Sequence, residues 1–395
     1  MREDPIVITG MARTPIGAFL GELSSLRATE LGAHSVRAAL QNARVAADQV
    51  TEVVMGCVLP AGLGQAPARQ AALGAGLPQR IPCTTVNKMC GSGMQAAILA
   101  HDGLLSGTSS VTVAGGMESM SNAPYLLAKV RTGQRMGHGT LVDHMFLDGL
   151  EDAYEPGRAM GTFAEDTARH YGFSRDEQDA FAARSLERAQ RAAADGSFTH
   201  EIAAVEVRDR KAPATITSDE QPRRSSIERI SQLRPAFAKD GTITAANSSS
   251  ISDGAAAVVL MRRSEAVRRG IEPLATIRAH AVHAQEPRWF TTAPVKAIRS
   301  VLEHAGWNTG TVDLYEINEA FAVVVLAAMR DLGLDADQVN IRGGACALGH
   351  PIGASGARIV VTLVSAMMAH GLRRGVASLC IGGGEATALA IEREA

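Results

Sequence analysis

A long-range repeat constrains the fold of this chain more than any other feature. In the first half, Val53-Val54-Met55-Gly56 is followed about 34 residues later by Cys90-Gly91-Ser92-Gly93, which opens an apolar helical stretch, and then by Val113-Ala114-Gly115-Gly116-Met117-Glu118. In the second half, Leu314-Tyr315-Glu316-Ile317 is followed at similar spacing by Gly353-Ala354-Ser355-Gly356, again opening an apolar helix, and then by Cys380-Ile381-Gly382-Gly383-Gly384-Glu385. The order and both spacings recur. Two copies of one α/β unit facing each other explain this better than chance likeness among glycine-rich turns. A site between such halves draws residues from both.

The hydrophobic pattern fills in the units. Short β-branched runs predict strands over 6–9, 52–56, 111–114, 256–261, 275–279, 314–317 and 376–381, and helical periodicity predicts helices over 29–42, 66–73, 92–105, 294–305, 320–332 and 355–370. The helix over 92–105 is apolar almost all round and is expected to be buried. Between 121 and 246 the chain turns to mixed charge, Gly and Pro with one clear helix, capped by the Ser174/Glu177 box and stopped at Gly196. The reading is an α/β protein divided into 1–120 plus 247–273, an inserted polar subdomain over 121–246, and 274–395.

Composition removes several function classes. Lys+Arg 39 against Asp+Glu 41 gives a net charge of −2, so no global positive field exists to hold nucleic acid or an anionic membrane. Aromatic residues make up only 4%, which leaves a core of Ala, Val, Leu, Ile and Met packed with the help of 39 glycines. No apolar run reaches the roughly 20 residues a bilayer span needs. The five cysteines are odd in number and form no C-x-x-C pair, so neither a disulfide framework nor a metal site is expected. The expectation is a soluble, cytoplasmic protein in a reducing compartment.

Four segments carry chemistry. Cys90 stands at the mouth of a buried helix, where the helix dipole and free N–H groups favour a thiolate, so its pKa is expected below that of an ordinary thiol. Its own N–H is available to an oxyanion, and the following glycines admit a ligand to the backbone. Taken alone, such a cysteine reads first as a small buried residue in a tight turn. His350, ringed by Gly and Pro ahead of another buried helix, is held stiffly enough for a base, or is a capping or core histidine. Cys380-Ile381-Gly382-Gly383-Gly384 ends a strand with its thiol toward a cavity and its N–H groups exposed. Asn318, at a further strand end, orients a water or caps a helix.

Together these segments resemble the thiolase family, and the resemblance runs over essentially the whole chain, from Arg13-Thr14-Pro15-Ile16-Gly17 through Gly115-Gly116-Met117-Glu118-Ser119-Met120-Ser121 to the closing strand. It implies duplicated α/β halves in a layered αβαβα arrangement. It implies Cys90 as the residue that carries an acyl group, His350 as the acceptor of its proton, and Cys380 as the base at the α-carbon of acetyl-CoA. It further implies two oxyanion holes, one of His350 with a water on Asn318, the other of the N–H groups of Cys90 and Gly382.

By the same resemblance coenzyme A enters along the insertion. Arg223, Arg224 and Ser226 then meet its nucleotide end, although solvated loop residues are an equal reading of the arginines, and Ser249 meets the pantetheine arm. The implied activity is condensation of two acetyl-CoA to acetoacetyl-CoA, or thiolysis of that or a longer 3-ketoacyl-CoA. No tightly bound cofactor is implied, and the assembly is a homodimer or homotetramer. Decarboxylating ketoacyl synthases share the duplicated fold but carry histidine where Cys380 stands. A silent CoA or lipid binder is the alternative of another class, kept open by Glu385. The chain departs from the family pattern at Ser248 and Ser250, at Ala159, and at Glu385-Ala386, so acyl-chain length does not carry over.

Overall fold

The structure, a computed structural model, describes residues 4–208 and 213–394. The first half contributes strands β1 (Ile6–Arg13), β2 (Glu52–Gly56), β3 (Cys83–Val86), β4 (Val111–Ser119) and β5 (Ser252–Arg262). The second contributes β6 (Ala275–Ala284), β7 (Leu314–Ile317), β8 (Arg374–Ile381) and β9 (Glu385–Glu392). In space they run β7-β8-β9-β6-β1-β5-β4-β2-β3. The seam between halves is thin, because β1 and β6 pair only at Val7 with Thr276 and Ile8 with Ala275.

Either side of that seam the pattern is the same. In one half β1 is antiparallel to β5, β5 to β4, and β4 is parallel to β2; in the other β6 is antiparallel to β9, β9 to β8, and β8 is parallel to β7. A parallel bridge from Tyr315 to Val339 stands where the first half has β3. The repeat in the sequence is therefore a repeat of topology.

Layering follows from strand periodicity. Along β5, Ala255, Ala257, Val259 and Met261 enter one core while Ala256, Val258 and Leu260 enter another, as alternating side chains of a doubly covered strand must. The first core lies under helices α1 (Ala28–Ala43) and α2 (Pro67–Gly74). The second holds α3 (Ser92–Ser106) between the half-sheets, together with a long helix, Ile352–Ala369, from the other half. A third lies between the second half-sheet and the helices Ala293–Ala305 and Ala322–Leu332. The result is the αβαβα stack. The two central helices touch through repeat-equivalent glycines: a Cβ on Gly93 would stand 2.7 Å from Ala357 N, and one on Gly356 2.4 Å from Met94 N.

The insertion holds α4 (Met160–Tyr171) and α5 (Arg175–Ala194) with two small hairpins, Tyr125–Leu127 with Leu141–Asp143 and Val205–Arg208 with Pro213–Ile216. The later long helices are numbered α6 (Ala293–Ala305), α7 (Ala322–Leu332) and α8 (Ile352–Ala369). The capping box on α5 forms as expected, with Glu177 N–H donating to Ser174 Oγ and Ser174 N–H to Glu177 Oε2.

Three expectations need correction. The insertion has a second full helix, α4, whose apolar stripe is broken in the sequence by Glu165; that carboxylate is buried because it accepts from the N–H groups of Thr242 and Ile243. Strand β4 does not end before Gly115-Gly116 but runs to Ser119. Both glycines are there for close approach, since a Cβ would fall 2.2 Å from Ala256 O at Gly115 and 2.0 Å from Gly353 O at Gly116. Finally, α8 is long and apolar enough by length and composition to cross a bilayer, yet it lies buried in the middle layer with the cation Arg358 inside its span.

Candidate active site

Each functional side chain sits where a strand gives way to a turn or helix. Between β3 and α3, Met89 is forced to φ 46° and held there by its N–H donating to Asn87 Oδ1 at 3.0 Å. Ser92 closes the turn, accepting from Lys88 N–H and donating to Met89 O at 2.6 Å, which presents Cys90. His350 follows Gly349, whose φ of 109° and contact with Ser252 Oγ exclude a side chain. His350 N–H donates to Ser250 O at 3.0 Å, and Pro351 caps α8. Cys380 is the penultimate residue of β8, and Gly382 begins the turn to β9. Cys90, His350, Cys380 and Gly382 line one cavity of about 450 Å³, so residues more than 250 apart in sequence converge there.

The electrostatics differ from expectation at Cys90. Burial pushes its thiol up to about 11, although the N–H groups of Gly382 and of Cys90 itself, both directed at the sulfur, pull the other way, and the buried carboxylate of Glu118 raises it further. Helix α3 begins only at Ser92, so its dipole does not override desolvation. Burial, reinforced by the Arg358 cation, pushes the His350 imidazole down to about 3. Burial and the neighbouring Cys90 sulfur raise Cys380 well above the usual thiol range, against its own N–H.

The tautomer of His350 follows from its partners. Ser355 Oγ lies 2.6 Å from His350 Nδ1 and donates its one proton to Pro351 O at 3.0 Å. With its proton on Pro351 O, Ser355 accepts from Nδ1–H, the arrangement that leaves Nε2 as the bare lone pair a base needs. Nε2 is buried and meets no hydrogen-bond partner among the described residues. Asn318, fully buried just beyond β7, is outside the cavity lining; its Oδ1 faces Arg358 Nη2 at 3.4 Å, and its Nδ2 is likewise unpartnered among the described residues.

The residues expected to hold coenzyme A fall in two groups. Ser249 lines the catalytic cavity, anchored by its N–H donating to Ala320 O. Arg224 and Ser226 line an adjoining polar cleft of about 570 Å³ together with Arg229, and Gln221 and Ala245 border both spaces. Arg223 is outside that lining and is tied to Glu22 at 2.6 Å. Arg224 is paired with Glu220 at 2.7 Å. Of the remaining cysteines, Cys346 borders the polar cleft, while Cys57 donates to Glu118.

Comparison with known proteins gives the family. Residues 6–264 match the family described as "Thiolase, N-terminal domain", and residues 271–393 match "Thiolase, C-terminal domain". The chain belongs to the thiolase family. Among its relatives, Acetyl-CoA acetyltransferase 2 of Arabidopsis thaliana is 50% identical over 390 residues, covering 98% of this chain and 96% of the relative. Acetyl-CoA acetyltransferase of Pseudomonas aeruginosa is 48% identical over 391 residues, covering 98% and 99%. The enzyme of that name from Allochromatium vinosum is 46% identical over 390 residues, with the same coverage.

Within this thiolase, residues to which the sequence assigned no chemistry support the site. Glu118, fully buried at the end of β4, accepts from Val58 and Gly353 N–H at 2.9 Å and from Leu59 N–H at 3.1 Å, tying the loop after β2 to the start of α8. Burial raises its carboxyl to about 7, against those three donors. A charge inside an otherwise apolar strand was the available signal for it. Ser355 fixes the His350 ring, and Arg358 holds the Asn318 amide; neither role is visible without the fold. Glu385 forms an ion pair with Lys88, joining the two turns that carry Gly382 and Cys90.

Proposed function

We propose that this thiolase transfers acyl groups between CoA thioesters through an acetyl-Cys90 intermediate, condensing two acetyl-CoA to acetoacetyl-CoA or running the reverse thiolysis. The observation that carries the reading is the convergence of two thiols, one bare imidazole nitrogen and two aimed backbone N–H groups on a single cavity. Cys90 Sγ attacks the thioester carbonyl as its proton passes to His350 Nε2. The tetrahedral adduct collapses to acetyl-Cys90, and His350 returns the proton to the departing CoA thiolate.

In the second half-reaction Cys380 Sγ–H passes its proton to His350 Nε2, and the thiolate so formed takes the α-proton of the next acetyl-CoA. The resulting enolate forms a C–C bond to the acetyl carbonyl, Cys90 leaves as thiolate and takes the proton from His350, and Cys380 keeps the α-proton, which restores the resting state. The enolate oxygen lies against protonated His350 and the water that Asn318 Nδ2 holds, while the second adduct draws on the N–H groups of Cys90 and Gly382. Burial holds Cys380 protonated at rest, so its proton has to leave before the thiolate can act as the base.

Coenzyme A lies along the polar cleft beside Arg224, Ser226 and Arg229, with Ser249 on the pantetheine arm and no tightly bound cofactor. A homodimer or homotetramer accords with the exposed Tyr125, Leu127 and Leu141 of the first hairpin. A reducing, cytoplasmic setting suits a mechanism that needs two free thiols. Glu385, the feature that kept a silent binder open, is neutralised by Lys88.

The test is intact-mass analysis after mixing with acetoacetyl-CoA, on the wild type and on Cys380→Ala. Both should gain one acetyl group on Cys90, and only the wild type should condense acetyl-CoA. An unmodified wild type overturns the covalent route, and a Cys380→Ala protein that fails to acylate overturns the division of labour.

A further inference from the structure

The two halves meet at a second cluster of ligand-capable groups, far from the thiols. His101 and Asp102 stand near the C-terminal end of α3, and His280 on β6 reaches them from the other half. Asp102 Oδ1 lies 2.9 Å from His101 Nδ1 and 3.0 Å from His280 Nε2, and one donor atom from each residue falls within 4.8 Å of the other two. The imidazoles meet edge to face with centroids 5.1 Å apart. His101 and His280 line a cleft of about 530 Å³ that shares no lining residue with the catalytic cavity. At 1.5 Å per residue, His101 lies about 14 Å along α3 from its start at Ser92, two residues after Cys90.

A carboxylate accepting from two imidazoles is commonly a hydrogen-bonded tie and nothing more. Donor set and spacing take this one further. In a tetrahedral site with metal–nitrogen bonds of about 2.0–2.1 Å, neighbouring ligand atoms stand about 3.3 Å apart, a few tenths of an ångström from the two separations present here. Two imidazoles and a carboxylate suit borderline first-row cations, above all Zn²⁺. The one nearby cation on the same strand, Arg278, is neutralised by Glu392 at 3.2 Å. Cysteine spacing, which gave no reason to expect a metal, does not bear on a site of this composition.

We propose that His101 Nδ1, His280 Nε2 and one Asp102 oxygen form a site for a divalent cation of the Zn²⁺ class. The ion ties α3 of the first half to β6 of the second, across a seam that β1 and β6 join through only two residue pairs. Each ring coordinates in its neutral form with the proton on its other nitrogen, and water from the cleft completes the shell.

Titration of the full-length, chelator-treated protein with CoCl₂ tests this. The expected result is a visible ligand-field band saturating at one equivalent, with no sulfur-to-cobalt charge-transfer band, so that the five thiols are excluded as ligands. ZnCl₂ should abolish the band and raise the melting temperature of the wild type. His280→Gln and Asp102→Asn should weaken binding by more than about tenfold, given that losing even an outer partner of a metal ligand costs that much. Both variants should keep the metal-free melting temperature, which separates loss of binding from loss of fold. No saturable band, a band with thiolate character, or one unchanged in His280→Gln overturns the proposal.

Discussion

Cys90 and His350 share their cavity as a neutral thiol and a neutral imidazole, not as a preformed ion pair. The thiol is pushed up to about 11 by burial and the imidazole down to about 3 by burial and Arg358. In the proposed mechanism Cys90 and His350 therefore exchange their proton as the substrate is attacked, with no standing pool of thiolate. The sign for reactivity is direct: below the thiol's pKa the thiolate fraction grows about tenfold per pH unit. Alkylation of Cys90 by iodoacetamide, followed by peptide mass, should accelerate steadily from pH 6 toward the alkaline limit, with no inflection from His350, already neutral over that range. A plateau near neutral pH would show a thiolate–imidazolium pair instead. Cys90, His350 and Cys380 were legible in the sequence because each lies in a glycine-rich junction whose purpose is to expose it. The direction of the Cys90 shift was not, because helix-mouth position is local while desolvation depends on the second half closing over it.

Strand β4 and helix α8 show how elements from different halves set the site. Gly116 lets β4 pass directly under Gly353 O, and two residues on Glu118 takes up the Gly353 N–H, so the strand packs against the carbonyl and bonds the N–H of one residue at the start of α8. His350 is three residues before that point. Gly116→Ala would place a Cβ 2.0 Å from a backbone oxygen that has no flexible end to move aside. It should destabilise the protein by about 1–3 kcal/mol, the usual range for overpacking, and slow acylation by shifting His350. A denaturation midpoint and an acylation rate both equal to wild type would refute this seating. Strand and helix identities were mostly readable from periodicity, yet β4 was cut short because two glycines read as a turn. Only the partner backbone reveals that they are a crossing point. Likewise α4 was hidden by Glu165, whose burial makes sense only once the Thr242 and Ile243 N–H groups reach it.

At the scale of the molecule, halves and insertion are fastened by buried charge. Arg13 on β1 is fully buried, bidentate to Asp219 at 2.7 and 2.9 Å and bonded to Glu201 at 2.6 Å, partners 206 and 188 residues away. Glu201 also accepts from Arg342 at 3.3 Å and from Thr362 of α8 at 3.1 Å, bringing the second half into the same cluster. Burial opposes the Arg13 charge, but Asp219 and Glu201 more than offset it. The duplicated halves could be read from the repeat, whereas this cluster could not, since its members share neither motif nor spacing. Its reach extends to the substrate, because Asp219 precedes the short helix Glu220–Arg224 that bears Gln221 and Arg224 toward the polar cleft. Arg13→Met would leave the buried Asp219 without its cation and Glu201 with only the longer Arg342 contact at 3.3 Å, and breaking such a group by removing one partner costs about 3–5 kcal/mol. The melting temperature should fall accordingly, and the KM for acetyl-CoA should rise while acetylation of Cys90 at saturating substrate is largely kept. Adding Asp219→Asn to Arg13→Met should recover part of the lost stability by removing one uncompensated charge. If the single variant melts like the wild type, or the double variant is less stable than the single, the cluster is not what holds the insertion to the core.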